Sequence, residues 1–281
     1  MTDEPEEDGE GGEGSHAGAA PRSLIVTTYG LYARRSGGWM SVAGLIRLMA
    51  FLEVDAPAVR SSILRLKRRG VLEAEKRDGV AGYTLSEAGL SMLAEGDQRI
   101  FEHPRAGLAD GWLLAVFSIP ESERNKRHLL RSRLVWLGFG TVSSGVWIAP
   151  GHREADTRAV LARDGLDGFV TLFRSDYLGF GQVEKEAAGW WDLAGLAAQY
   201  EEFIAVWKPR LRIAHDDPAA FRDYLTALTV WRRLPFLDPG LPVEVVGEDW
   251  AGERAGRLFS ELQQEWAGPA ERHARATLAT S

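Results

Sequence analysis

The stretch SVAGLIRLMAFLEVDAPAVRSSILRLKRRGVLEAEKRDGVAGYTL, Ser41 to Leu85, decides how the rest of the chain is read. Asp55 is placed to cap a helix and Pro57 to fill its first turn, where a missing amide donor costs nothing and the ring pre-sets the backbone angle. Gly70 ends that helix. Between these signals Val59, Ile63 and Leu66 fall at the i, i+4, i+7 spacing of one apolar stripe. At ~100° per residue, Ser61, Arg65 and Arg68 project from the opposite face, flanked by Arg60, Lys67 and Arg69. Beyond Gly70, Val71 to Lys76, a turn at Asp78-Gly79 and the run Tyr83 to Leu85 read as a hairpin.

Helix, turn, basic helix and hairpin make a winged helix-turn-helix. Its second helix suits a duplex groove, because Arg forks onto guanine O6 and N7 while Ser reaches base or phosphate. The plainer reading of an isolated basic helix is a solvated face. The hairpin and the local charge favour DNA. From Arg22 to Arg77 there are eleven Lys or Arg against four Asp or Glu, a surplus of seven in a chain whose total is −7. Such a patch drives sequence-independent, salt-dependent affinity through counterion release.

The opposite charge sits in the first twenty residues, which hold seven Asp or Glu and no Lys or Arg. This Gly-rich segment cannot bury a core and reads as a disordered acidic tail, residues 1–22. The remainder is near neutral, and the local patch matters more than the total. With 281 residues and 45% hydrophobic content the chain can hold two or three cores. No apolar run approaches the ~20 residues that span a bilayer, and no signal peptide is evident, so a cytoplasmic protein without membrane partners is expected. Without cysteine there are no disulfides, thiolate metal sites or cysteine nucleophiles. The six His form no metallopeptidase pair. No catalytic residue, metal site or cofactor is expected, and the protein reads as a non-enzyme.

Taken in order, Ser23 to Arg35 gives a first helix, Trp39 to Ala50 a second, and Ser86 caps a further one through Gln98, closing a DNA-binding domain over 23–105. Leu113 to Ile119 is a continuous apolar run bounded by Pro120, as in a buried strand. Helix from Glu121 to Leu137, strands at Gly138 to Ser143 and Val146 to Ala149, helix from Arg153 to Arg163 and strand from Phe169 to Arg174 complete a βαββαβ order. That order predicts a ferredoxin-like domain over 106–183, an antiparallel sheet with helices on one face. From Glu184 the chain turns helical, with Leu193, Leu196, Tyr200, Phe203, Ile204 and Trp207 at amphipathic spacing up to Pro209. Further helices at Ala219 to Arg233 and Glu253 to Trp266 flank a rigid loop from Leu234 to Pro242. The fold class is α+β, ending in a helical effector and dimerisation domain over 184–281.

Several pieces in this order resemble the PaaX family of bacterial transcriptional regulators. They are Val59-Arg60 with Arg65-Leu66 and Gly70, Phe117-Ser118-Ile119-Pro120-Glu121, Gly138-Phe139-Gly140 leading to Val146-Trp147-Ile148-Ala149-Pro150, Trp191-Asp192-Leu193, and the Leu234 to Pro242 loop followed by Trp250. The resemblance covers about Ser23 to Trp266. It implies a homodimeric repressor of a catabolic operon that binds an operator through its winged helix and is released by an acyl-CoA effector, phenylacetyl-CoA in the best-known members. Two departures stand out. Leu31 follows Gly30 where relatives tend to carry an acid, and the hairpin tip Gly79-Val80-Ala81-Gly82 lacks basic residues, leaving Lys76 and Arg77 as phosphate contacts.

An acyl-CoA site needs Arg or Lys near aromatic surface. Trp207, Lys208, Arg210 and Arg212 end one helix and Trp231, Arg232 and Arg233 the next, between the ferredoxin-like domain and the C-terminal helices. The same charges also complement helix dipoles. Two alternatives stay open. One is a metal-dependent nuclease built on the ferredoxin-like domain, against which Ser118 stands where a carboxylate would hold the ion. The other is a structural adapter without a ligand.

Overall fold

A computed structural model describes residues 20–102 and 105–279. The acidic tail up to residue 19 lies outside the described residues; Pro21 and Arg22, read as part of it, instead open a helix.

The amino-terminal part consists of α1 (Pro21–Thr28), β1 (Trp39–Ser41), α2 (Val42–Ala50), α3 (Ala56–Arg68), β2 (Leu72–Arg77), β3 (Val80–Leu85) and α4 (Glu87–Phe101). Helix α1 runs on through a π-helical turn at Tyr29–Ala33 and a 3₁₀ turn at Arg34–Ser36 before Gly37, at φ 81°, reverses the chain. Trp39 does not begin a helix, as the apolar spacing suggests. It lies in β1, which pairs with β3 through Trp39↔Thr84 and Ser41↔Gly82, giving a three-stranded antiparallel sheet in the order β1-β3-β2. Gly82 makes this possible, since a Cβ there would sit 2.4 Å from the Trp39 ring and 2.5 Å from the Met40 carbonyl oxygen. The β2–β3 turn has Asp78 at φ 48° and Gly79 at φ 85°. Two left-handed residues are what a two-residue hairpin turn matching strand twist requires.

The central part holds β4 (Trp112–Phe117), α5 (Arg124–Trp136), β5 (Gly140–Ser143), β6 (Val146–Pro150), α6 (Glu154–Arg163) and β7 (Val170–Ser175). Its four strands lie in the order β5-β6-β4-β7, all neighbours antiparallel. Alternation along β4 separates the two faces. Leu113, Ala115 and Phe117 meet Leu130 and Leu134 of α5 and Val160 and Leu161 of α6. Trp112 and Ile148, on the other face, meet residues that arrive much later in the chain.

The rest of the chain holds α7 (Val183–Trp190), α8 (Leu193–Trp207), α9 (Asp217–Trp231), α10 (Leu234–Leu237), α11 (Val243–Val246) and α12 (Ala251–Ala279), and Ala187 of α7, Leu241, and Val245 of α11 cover that face of the sheet. The helix expected from Glu184 to Pro209 is broken at Trp191–Asp192, where Asp192 accepts from the Gly195 amide at 2.9 Å and starts α8 afresh. Trp191 donates its indole N–H to the Gly138 carbonyl at 3.0 Å, tying this break to the central sheet. The loop expected from Leu234 to Pro242 is less irregular than its composition implies: it opens with a single helical turn, α10, and another, α11, follows directly after Pro242. Helix α12 continues well past Trp266, over 29 residues, or about 43 Å of helix, with Pro269 inside it.

One apolar core joins the two ends of the chain. Leu24, Ile25, Leu45, Leu48, Val59, Ile63 and Leu66 are continuous with Phe221, Leu225, Trp231, Phe259, Leu262, Trp266 and Ala274. At its centre Thr229 donates to Thr27 Oγ1 at 2.8 Å, two buried hydroxyls linking α9 to α1. The C-terminal end of α12 reaches α2, where Arg47 donates to the Thr277 carbonyl at 3.3 Å. Among the described residues, no helix is long and apolar enough to cross a membrane.

Candidate nucleic-acid interface

Helix α3 is fixed from both ends and from below. Asp55 accepts from the Ala58 amide at 2.7 Å, and Gly70, at φ 70°, turns the chain out of the helix. Val59, Ile63 and Leu66 are 0%, 2% and 3% exposed, so the apolar stripe faces the shared core. Ser62 is buried beside them. That orientation leaves Arg60, Arg65, Lys67, Arg68 and Arg69 exposed and Ser61 half-buried on the outer side. Arg65 Nη2 donates to Ser61 Oγ at 3.0 Å, so the two share one outward turn. Leu64, half exposed on the same side, lies off the apolar stripe, so the spacing gives no sign of it.

On the hairpin the two basic candidates differ. Lys76 is exposed and among the described residues makes no ion pair. Arg77 is occupied: its Nε and Nη2 donate to the Glu75 carboxylate at 2.7 and 3.1 Å, and Nη2 also donates to the Gly37 carbonyl at 3.2 Å. Its guanidinium lies 5.5 Å from the Trp39 ring centroid. The Arg77 hydrogen bonds hold the Glu75 carboxyl below its usual range. Arg77 braces the sheet against the turn at Gly37 and is not a free cation.

The residues expected at an acyl-CoA site are not brought together. Trp207 and Trp231 are buried in the shared core, the latter stacked on Phe259 at 4.9 Å. Arg210 lies over the Trp207 ring and donates to Asp223 at 3.2 Å, whereas Arg232 reaches back to the Ser23 carbonyl at 3.4 Å. Asp223 and Arg232 are nine residues apart on and beyond α9, about 13 Å along its axis. Lys208, Arg212 and Arg233 are exposed. None of the seven lines the cavity described next.

That cavity, about 250 Å³, lies where α4, the turn before α6, the Asp238–Gly240 loop and the start of α12 meet. Four guanidiniums line it: Arg99, Arg105, Arg153 and Arg257, with Glu102, Asp238 and Glu253 as the acids. Arg105 is neutralised, donating to Asp238 at 3.2 Å, to Glu253 and to the Leu241 carbonyl at 2.9 Å. Asp238 also accepts from Tyr200 Oη at 3.0 Å, Trp250 Nε1 at 3.2 Å and the Gly240 amide at 2.8 Å. Burial, followed by the Asp238 charge, raises the Tyr200 phenol far above its usual range. Nothing in the sequence marks Arg99 or Arg153, which come from segments 54 positions apart without a shared motif.

His152 adjoins this cluster, and neither of its ring nitrogens has a partner among the described residues. Burial, reinforced by Arg153, pushes its imidazole down from 6.5 to about 4. The folded chain therefore refuses a proton that the unfolded chain accepts, so stability should fall as pH drops from 6.5 to about 4. Urea midpoints measured across that window should decline in the native chain and decline less in His152→Leu. Equal slopes would remove His152 from the account.

At the end of β4, the position at which a nuclease of this fold would carry a metal-binding carboxylate holds Ser118. Among the described residues no three His, Asp or Glu are grouped to hold a metal ion.

Comparison with known proteins follows the same divisions. Residues 20–89 match the family model of a PaaX-like protein, 105–187 the PaaX protein central Cas2-like domain, and 191–276 the PaaX-like protein C-terminal domain. In sequence these define a head with a small antiparallel sheet, a Cas2-like middle and a helical end, the arrangement of one regulator family. The chain belongs to the PaaX family. Among its relatives, the transcriptional repressor PaaX of Escherichia coli is 26% identical over 254 residues, 87% of this chain and 80% of the relative. An uncharacterised protein of Mycobacterium tuberculosis, Rv0674, has the same fold with a TM-score of 0.62 and 20% identity, over 92% of this chain and 98% of its own.

Proposed function

We propose that this protein is a transcriptional regulator, a repressor that binds an operator in duplex DNA through a winged helix-turn-helix formed by α2, α3 and the β2–β3 hairpin. The outward face of α3 carries the reading: Ser61 and Arg65 are coupled on one turn, with cations on both sides and Leu64 exposed between them. Arg65 and Ser61 read base edges, Leu64 suits the thymine methyl, and Arg60, Lys67, Arg68, Arg69 and Lys76 meet phosphates. The likeness to a protein described as a transcriptional repressor supports the same reading. Replacing Arg65 with Ala should cost about 1–3 kcal/mol on the cognate site, whereas Arg68→Ala should weaken all duplexes alike and flatten the salt slope. Fluorescence anisotropy with operator and scrambled duplexes separates the two. Unchanged affinity in both variants would refute the assignment of α3.

The protein acts as a homodimer, since one winged helix covers a single half-site and two-fold proteins read two. Light scattering on and off DNA should give twice the mass of one chain; a monomer in both states would refute it. The controlled operon is catabolic, and the signal that releases the operator is an acyl-CoA such as phenylacetyl-CoA, bound where the central domain meets the C-terminal helices. By linkage the thioester and DNA must weaken each other's binding by the same factor. Calorimetry with and without operator measures both sides of that equality. No enzymatic step is assigned.

A further inference from the structure

Arg99 and Arg153 have almost no solvent and incomplete partners. Arg99 is 6% exposed; one terminal nitrogen donates to the Trp136 carbonyl at 2.6 Å, and the guanidinium rests on the Trp136 and Phe236 rings at 5.1 and 5.2 Å. Its other terminal nitrogen, Nη2, has no partner among the described residues. Arg153 is 3% exposed and its Nε is likewise without a partner. Both line the 250 Å³ cavity. Burial lowers the Arg99 guanidinium to about 10, and the charge of Arg153 pushes in the same direction. Asp156 and Asp238 act on Arg153 through space without forming an ion pair with it.

A guanidinium is poorly placed to escape such a site by losing its proton. Two like charges beside a small void therefore need a counter-charge, and the nearby acids supply it only in part: Asp238 and Glu253 are engaged by Arg105, Asp156 acts on both guanidiniums only through space, and Glu102, exposed at the cavity, forms no ion pair with either among the described residues. We propose that this cavity binds an oxyanion of the phosphate class, held by the free donors of Arg99 and Arg153. Two guanidiniums approaching from separate elements match a dianion better than a monoanionic carboxylate. The volume, below the ~300–1,000 Å³ of whole-ligand sites, fits one phosphate or pyrophosphate group. On α12 the small residues Gly256 and Ser260 line the cavity, leaving room for the ion. The ion joins α4, which follows directly on β3, to the central domain and to α12.

Such an anion has two sources, a free phosphate or the phosphates of a coenzyme A thioester; the second rests on the effector reading above, the anion site itself does not. The full chain is titrated with inorganic pyrophosphate, with coenzyme A and with phenylacetyl-CoA, against sodium chloride at equal ionic strength, following the thermal midpoint and the heat of binding. Saturable stabilisation beyond that of chloride is expected. Arg99→Gln and Arg153→Met should each weaken pyrophosphate binding about ten- to a hundredfold. Arg153→Met should not lower the midpoint of the anion-free chain, because it removes an unpartnered buried charge. Ser260→Asp, an exposed position, tests the site without disturbing the core: a fixed negative charge at the rim should weaken anion binding. A response equal to that of chloride, or one indifferent to all three substitutions, overturns the proposal. If pyrophosphate binds as expected and no thioester does, the anion site stands and the acyl-CoA reading falls. If phenylacetyl-CoA and pyrophosphate both bind equally well to native, Arg99→Gln and Arg153→Met chains, the effector reading stands and this site falls.

Discussion

Trp231→Ala should destabilise the fold by about 3–5 kcal/mol, the cost of removing a large aromatic from a closed core. The indole has no exposed surface, stacks on Phe259 at 4.9 Å with 13° between the planes, and lies 5.3 Å from Phe203 and 6.1 Å from Tyr200. Four elements meet there: α8, α9, α12 and, through the Ile100 carbonyl that accepts the indole N–H at 2.9 Å, the end of α4. The alanine variant leaves both a cavity and that carbonyl unpaired. Trp231→Phe keeps most of the packing and should lose only about 1–3 kcal/mol, the penalty of the orphaned acceptor. Urea unfolding of the two variants separates packing from hydrogen bonding; equal losses would show that the carbonyl carries the effect.

Asp238→Ala should cost a similar amount, about 3–5 kcal/mol, for a different reason: it takes half of the ion pairing from Arg105 and leaves buried donors without the acceptor they share. One carboxylate at 8% exposure gathers donors from Arg105, Tyr200, Trp250 and the Gly240 backbone. Without it Arg105 keeps Glu253 and the Leu241 carbonyl, but the Tyr200 hydroxyl and the Trp250 indole N–H lose the acceptor they share. Asp238→Asn preserves an acceptor oxygen and should fall between native and alanine chains. Thermal unfolding checks the order; an alanine variant as stable as the native chain would mean that the hub is dispensable.

Local signals were legible where a residue type has one structural meaning. Asp55 and Ser86 cap the helices they precede, accepting from Ala58 and Gly89, and Gly70 and Gly79 take up left-handed backbone. The stripe of Val59, Ile63 and Leu66 is buried, and the βαββαβ order is present with its expected antiparallel neighbours. Pairings across long separations were not legible. Trp39 resembles the start of a helix because three residues of strand show no period, and the reason for that strand is Gly82, forty-three positions later. The last helix, expected to end at Trp266, runs on through Pro269, and small residues, Ala270 and Ala274, keep the inner face of the extension buried. Tryptophans near cations suggest a ligand surface, but Trp207 and Trp231 serve as core, since indole near arginine has the same pattern in both settings. The buried arginines carry no sequence signature.

The continuity of the core from α1 to α12 bears on how such a protein could acquire a new target. A head that folded by itself could be exchanged between relatives as a cassette. Here the inner faces of α1 and α2 are fitted to α9 and α12, down to the hydroxyl pair of Thr27 and Thr229 and the reach of Arg47 to Thr277. A segment of residues 20–102 cut free would expose that fitted surface to water. A transplanted head would meet α9 and α12 with mismatched side chains. If α3 reads DNA as proposed, change in specificity is confined to side chains with no inward partner, Arg60, Ser61, Leu64, Arg65 and Arg68, which can vary without repacking anything behind them.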